Sequence, residues 1–191
     1  YPKGVMLSQE TLISALSNIL QYLKYDGHER ELVLLPISHS FALGHVYSNN
    51  IVGGFVYLEE GMLKIKRVFK AILDYQITGM PFTPTMLELL MSKYKERFLP
   101  LANKMEFMVV NSAPLPSQLA KDIIKELPHI NLHFYYGLTE ASRSTFITLS
   151  DESSDLYGSV GPAISPRVEI KIENEEVCIK GPHLFSGYWK Q

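Results

Sequence analysis

An α/β fold, a layered and mainly parallel sheet with flanking helices, is predicted by two patterns in this sequence. Apolar runs of strand length alternate with longer stretches whose apolar residues recur at helical spacing, and such a succession implies parallel strands joined by right-handed crossovers. Two of the strand-like runs, Phe107–Val110 and residues 130–135, stop at loops of unusual composition: Asn111-Ser112-Ala113-Pro114, and Tyr136-Gly137-Leu138-Thr139-Glu140. In an open α/β sheet the loops leaving the carboxyl ends of strands are where ligands sit, and small residues there permit close approach of the backbone.

Each element has a local reason. Ser8 is placed to cap a helix that turns Leu12, Leu16, Ile19, Leu20 and Leu23 to one side, with Asp26-Gly27 as its stop. Residues 31–37 form a nearly continuous apolar run, as expected of a strand covered on both faces. Residues 54–58 read as a strand, Ile65, Val68, Phe69, Ile72 and Leu73 as a helical stripe, and residues 77–80 as a short strand. Thr83-Pro84 opens the next helix with proline at its first position, and Met86, Leu87, Leu90, Met91 and Tyr94 share one side. After Phe107–Val110, Ser117 caps a helix that carries Leu119, Ile123 and Ile124 inward. Ile130, Leu132 and Phe134 alternate with Asn131, His133 and Tyr135, the period of a strand with two different faces. Residues 144–149 return as a strand, and residues 151–155 make a polar loop. Val168, Ile170 and Ile172 alternate with charged residues and pair, through Glu173-Asn174-Glu175, with Glu176–Lys180 in a hairpin.

Composition excludes several classes of function. The 191 residues are 46% hydrophobic and 20% charged, ordinary for a globular chain with one sizeable core, and the formal net charge of −2 provides no basic field for nucleic acid or anionic membrane. Lys64, Lys66, Arg67 and Lys70, and likewise Lys93, Lys95 and Arg97, fall between apolar helix positions and read as solvated helix faces. The single Cys178 can form neither an internal disulfide nor a cysteine metal site, and reads as a small buried residue in a reducing compartment. No apolar run approaches the roughly 20 residues of a spanning helix, and the start has no signal-peptide profile. A cytoplasmic protein with no transmembrane segment is expected.

The stretch around Gly137 brings three chemistries together. Tyr136 offers an aromatic face for a planar base, Thr139 a hydroxyl and amide for a phosphate, and Glu140 a hard oxygen ligand for Mg²⁺. The alternative is a turn in which Thr139 caps a following helix and Glu140 sits in its first turn. Tyr-Gly-x-Thr-Glu resembles the core motif of the adenylate-forming superfamily, which comprises acyl-CoA synthetases, aryl-CoA ligases, firefly-type luciferases and amino-acid adenylation domains. The resemblance implies that Asn111, Ser112, Ala113 and Pro114 form one wall of an adenine slot and Tyr135, Tyr136, Gly137 and Leu138 the other. It further implies Thr139 on the α-phosphate and Glu140 on Mg²⁺. Asn111 stands where the family commonly has glycine, and asparagine tolerates positive φ better than most residues.

Further motifs follow the family's order. In Pro36-Ile37-Ser38-His39-Ser40-Phe41-Ala42-Leu43-Gly44-His45 the resemblance puts His39 beside the acyl site and the path of the CoA pantetheine arm. Amino-acid adenylation domains instead place an Asp there, and no carboxylate occurs between Glu31 and Glu59, so a buried substrate ammonium would lack a partner. On the residues alone, the alternative is a histidine capping or hydrogen-bonding at a strand end. Met80-Pro81-Phe82-Thr83-Pro84-Thr85-Met86 resembles the loop and helix start that close the acyl pocket. Tyr1-Pro2-Lys3-Gly4-Val5 resembles the tail of the family's phosphate loop, with Lys3 as its phosphate-side residue. Gly158-Ser159-Val160-Gly161-Pro162, Gly181, Gly187 and Tyr188 resemble the entry to a small β-barrel subdomain, dividing the chain into an α/β part over 1–156 and a barrel start over 157–191.

By this resemblance the chain is expected to be a fragment of the large N-terminal domain of an acyl-CoA synthetase-like ligase. The intact protein would use ATP, Mg²⁺ and CoA to turn a small-molecule carboxylic acid, fatty or aryl, into an acyl-adenylate and then a thioester. The family's phosphate loop would precede Tyr1, and its ribose-binding Asp and Lys-bearing C-terminal domain would follow Gln191, so the fragment alone is expected to be inactive and prone to self-association through strand edges. Two alternatives stay open: an acyl-AMP ligase loading an acyl carrier protein, and a noncatalytic nucleotide-binding or scaffolding relic.

Overall fold

A computed structural model describes residues 3–190, the side chains of 151, 153 and 154 excepted. Tyr1 and Pro2, at the expected phosphate-loop tail, lie outside the described residues. In chain order the elements are β1 (Val5–Met6), α1 (Gln9–Leu23), β2 (Arg30–Val33), α2 (Ser40–Val52), β3 (Phe55–Leu58), α3 (Ile65–Asp74), β4 (Gly79–Phe82), α4 (Pro84–Lys93), α5 (Lys95–Ala102), β5 (Phe107–Val110), α6 (Ser117–Glu126), β6 (Asn131–Phe134), β7 (Ile147–Leu149), β8 (Glu169–Glu173), β9 (Glu176–Lys180) and β10 (Gly187–Tyr188), with a 3₁₀ turn at Asp151–Leu156.

Six strands form the central sheet in the order β3-β2-β4-β5-β6-β7, parallel throughout except for the antiparallel β7 at one edge. The two-residue period of a strand sends neighbouring side chains to opposite faces. Met108 and Val110 of β5 therefore join Leu132, Phe134, Phe82 and Leu87 in one core cluster, while Phe107 and Val109 join Phe41, Tyr135 and Phe146 in a second. Because both faces are covered, β4 and β5 are buried at every position, the condition under which a strand reads as a continuous apolar run.

Local signals set most boundaries. Ser8 and Thr83 each accept a backbone N–H as N-caps, from Thr11 and Met86, and Pro84 opens α4. The predicted α1 stop moves: the helix closes at Lys24 in the left-handed region, before Asp26-Gly27. β2 ends at Val33, and residues 34–37 leave the sheet ahead of Pro36, which has no N–H to give a ladder. Pro116, not Ser117, is the cap residue of α6; the Ser117 hydroxyl instead donates to the Tyr157 carbonyl at 3.2 Å. Tyr94, at φ −126°, divides the long helical stretch into α4 and α5, a break that apolar spacing did not mark. The charged clusters pair locally, Arg67 with Glu59, Lys70 with Asp74 and Lys95 with Glu126.

Past residue 160 the chain makes only small sheets. β8 and β9 form a hairpin whose turn residues, Asn174 and Glu175, both have positive φ, as a two-residue I′ loop requires. Its apolar alternation is not buried: Ile172 is 78% and Val177 51% exposed, and Cys178, expected inside, is half-buried. β10 returns to pair antiparallel with β1, and a bridge between Ala141 and Leu184 ties this end of the chain to the loop after β6.

His133 on β6 gives the fold a pH dependence. Its Nδ1 lies 2.9 Å from the Thr148 hydroxyl, and burial, helped by the charge of His45, pushes its pKa down from 6.5 to about 4. The native state therefore stays neutral at this position where the unfolded chain takes up a proton. Its contribution is complete above pH 6.5 and is lost as the pH falls toward 4; the loss is about 3 kcal/mol at most, at about 1.4 kcal/mol per unit. Urea denaturation at a series of pH values should show this slope in the wild type and a flatter one in His133→Asn; equal slopes would assign it elsewhere.

Candidate functional site

The loops after β5 and β6 meet at the carboxyl edge of the sheet. The buried side chain of Asn111 donates from Nδ2 to the Tyr135 carbonyl at 2.7 Å, bolting one loop to the other. They open on a cavity of about 410 Å³ lined by Asn111, Ser112, Ala113, Pro114, Tyr136 and Gly137 among others. It adjoins a second, of about 290 Å³, where His39, Ser112, Thr139, Glu140 and Arg143 come together.

Several residues behave differently from expectation. The positive φ falls on Ser112 (81°), whereas Asn111 serves through its amide. Tyr135 lines both cavities, but its ring is buried, stacked on Phe146 at 4.9 Å, set edge-on to Phe41 at 5.5 Å and 5.2 Å from the Arg143 guanidinium carbon. Burial pushes its phenol up to about 12, the nearby Arg143 charge opposing. Tyr136, half-buried, lines the 410 Å³ cavity together with the buried Phe134 and Tyr135.

Gly137 is needed for contact within the protein. A Cβ there would lie 2.4 Å from the Arg143 backbone nitrogen, because residues 138–141 close on themselves through reciprocal Leu138 and Ala141 backbone bonds of 3.1 and 3.2 Å. This tight turn carries Thr139 and Glu140 at its tip, and no helix follows, which removes the capping alternative for Thr139. Gly137→Ala is expected to cost about 1–3 kcal/mol, since the opposing atoms are backbone, and to weaken any ligand held at Thr139. Thermal unfolding checks it; an unchanged midpoint would show that the loop can open.

Glu140 is oriented by a strand that pairs with the start of the chain. The Tyr188 hydroxyl donates to Glu140 Oε1 at 2.8 Å, and the Phe185 N–H to the Glu140 carbonyl at 2.8 Å. The carboxylate in turn holds the Tyr188 phenol above its usual range. Lys3 does not line either cavity; its ammonium lies 4.8 Å from the centre of the Tyr188 ring. Among the described residues no group of three His, Cys, Asp or Glu could cage a metal. One carboxylate at the edge of a roomy cleft is nevertheless the donor set that suits Mg²⁺ brought in with nucleotide phosphates, since that ion keeps its waters and takes few protein ligands.

His39 caps α2, its Nδ1 accepting the Phe41 N–H at 3.2 Å. The neutral ring then carries its proton on Nε2, and the exposed imidazole lines the smaller cavity beside Thr139. No acidic residue occupies the first turn of α2, so the positive end of that helix also faces the cavity uncompensated.

Two groups escaped the sequence reading. Glu31, His45, Tyr25 and Asn49 form a buried polar cluster behind α2: Glu31 Oε1 accepts from the Tyr25 hydroxyl and from Asn49 Nδ2, each at 2.5 Å, and Oε2 lies 2.7 Å from His45 Nδ1. Burial, then the Glu31 charge, drives the Tyr25 phenol well above its normal range. Arg143, 2% exposed at φ 58°, reaches back from the loop to α2, donating to the Phe41 carbonyl and Ser142 hydroxyl at 2.8 Å and more weakly to the Ser40 carbonyl at 3.4 Å. Its guanidinium occupies the space left by Gly44, whose Cβ would stand 2.4 Å from Nη2. Nothing local foretold this, for an arginine in a small-residue run reads as exposed.

Comparison with known proteins places the chain in a family. The family model described as AMP-binding enzyme matches residues 1–189. Among curated proteins the chain is 26% identical to 4-coumarate–CoA ligase-like 4 of Oryza sativa subsp. japonica, over 98% of this chain and 36% of that protein. It is 24% identical to long chain acyl-CoA synthetase 5 of Arabidopsis thaliana, over 100% and 37%. The chain thus spans little more than a third of the length of these relatives. Among solved structures, O-succinylbenzoate coenzyme A synthetase from Bacillus subtilis superposes with a TM-score of 0.80 at 25% identity, both in complex with AMP (99% of this chain, 40% of that one) and in complex with ATP and magnesium ion (100% and 40%). A mainly parallel sheet, two bolted strand-end loops over adjoining cavities and a family model covering nearly every residue lead to one conclusion: the chain belongs to the AMP-binding enzyme family.

Proposed function

We propose that this chain holds the nucleotide and the acid in an ATP-dependent ligase that activates a carboxylic acid and transfers it to coenzyme A. The supporting observation is the convergence of Asn111–Pro114, Tyr136–Glu140 and His39 on adjoining cavities at one edge of the sheet. In this proposal a carboxylate oxygen attacks the α-phosphorus of ATP, the bond to pyrophosphate breaks, and acyl-adenylate forms. The thiolate of CoA then attacks the acyl carbon and AMP leaves. The base lies between Ser112–Pro114 and Tyr136, Thr139 donates to the α-phosphate as charge redistributes, and His39 Nε2–H faces the acyl side. Mg²⁺ bound with the nucleotide at Glu140 supplies charge neutralisation of the phosphates. Fatty and aryl acids both suit a His39 segment that offers a substrate amine no carboxylate between Glu31 and Glu59. A carrier protein is the alternative acceptor.

Self-association through the open side of β3 belongs to the same proposal, supported by a strand paired on one side only; among the described residues no helix is long and apolar enough to cross a membrane. Because the chain covers about a third of its relatives, binding rather than turnover is the direct test. Calorimetric titration with ATP and AMP, with and without Mg²⁺, should show nucleotide binding that Mg²⁺ strengthens for ATP; no binding of either nucleotide would overturn the proposal.

A further inference from the structure

Arg143 is the largest fully buried side chain among the described residues, and it is a cation with no anion. None of the ion pairs includes it, its hydrogen-bond partners are two carbonyls and one hydroxyl, the Tyr135 ring lies 5.2 Å from its guanidinium carbon, and its buried Nε has no hydrogen-bond partner. A buried charge is normally paired, because hydrogen bonds to neutral groups only partly replace its lost hydration. Glu140, which lines the same cleft, is engaged with Tyr188, and the buried Glu31 with Tyr25, Asn49 and His45. The positive end of α2, without an acidic residue in its first turn, adds to the same field.

Position supplies the missing element. Arg143, Ser40, Thr139 and Ser142 line both the 290 Å³ cleft and a separate cavity of about 60 Å³ between α1 and α2, the rest of which is walled mainly by Leu12, Ala15, Leu16, Ile19, Leu43 and Tyr47. The guanidinium therefore stands at the junction of an apolar cavity and the cleft that holds Thr139. We infer that Arg143 receives the carboxylate of the acid substrate at this junction, with the acid's apolar body directed between α1 and α2 and its reactive end toward Thr139. A phosphate as the anion is less well matched, since the cavity on the far side of Arg143 is apolar. The inference rests on the proposed function for the identity of the acid as substrate, but its recognition chemistry can be tested without turnover.

The experiment titrates the chain with hexanoate and benzoate, with the isosteric hexanamide and benzamide, and separately with ATP, by ligand-observed NMR. The wild type should prefer each acid to its amide. In Arg143→Gln the acids should lose about 10- to 100-fold in affinity, the size of a hydrogen bond to a charged group in a dehydrated site, while amides and ATP bind as before. Arg143→Lys should retain part of the acid preference. Gly44→Ala, which crowds the guanidinium without removing its charge, is the second variant should Arg143→Gln fail to fold, and it should lower acid affinity selectively. A wild type indifferent to acid versus amide, an equal loss for both, or a loss confined to ATP would overturn the assignment, the last by making the anion a phosphate. Failure of the wild type to bind ATP while acid selectivity persists would overturn the proposed function and leave the anion site standing.

Discussion

In the proposed full-length ligase, Glu140→Gln is expected to lower acyl-adenylate formation on the order of 10²- to 10³-fold, the scale on which one group aimed at developing charge acts. The fold should be nearly untouched, because glutamine keeps the shape and can still accept from the Tyr188 hydroxyl at Oε1. The charge is what is lost. Since Mg²⁺ takes few protein ligands and depends on a carboxylate with the nucleotide phosphates, the variant should also lose most of the Mg²⁺-dependent gain in ATP affinity, while AMP binding without metal stays as it was. Pyrophosphate release and calorimetry with and without Mg²⁺ separate these effects. Unchanged metal dependence in the variant would remove Glu140 from the metal-binding role. Tyr188→Phe is the graded companion: the carboxylate remains but loses its orienting donor, and the effect should be smaller.

His45→Ala is expected to destabilise the protein by about 3–5 kcal/mol, the cost of taking a partner from a buried carboxylate. Glu31 and His45 are both fully buried, so the remaining carboxylate would keep only the Tyr25 hydroxyl and the Asn49 amide. The cluster joins β2 to α2 and the chain leaving α1, and α2 is the helix whose first turn presents His39 and receives Arg143. Loss of the pair should therefore loosen the acyl side of the site before the adenine side, which is held by Asn111 on Tyr135. Urea denaturation reads the stability change, and hydrogen exchange over residues 40–52 and 107–114 reads its distribution. Replacing both partners, Glu31→Leu with His45→Leu, should recover part of the loss, since no unpaired charge stays behind. A His45→Ala protein as stable as the wild type would show that Tyr25 and Asn49 suffice.

What the sequence by itself determined is what neighbouring residues decide among themselves. The alternation in residues 130–135, the apolar run at Phe107–Val110, Ser8 as a cap, and Pro84 at a first helical position act over a few residues, and each stands where it was read. The same locality brought the loops at Asn111 and Gly137 to one sheet edge, since consecutive parallel strands end on the same side. Short-range patterns failed where burial has no local cause. Alternation in β8 and β9 resembles that of a covered strand, yet Ile172 and Val177 lie in solvent; the ring of Tyr135 resembles that of Tyr136, yet Phe41 and Phe146 claim it for the core. Only the tertiary structure joined Tyr188 to Glu140, Arg143 to the first turn of α2, and His45 to Glu31. Each of these links is made between elements that chain topology, not sequence spacing, brings together, and the worth of a charge or hydroxyl in them depends on the water that packing has excluded.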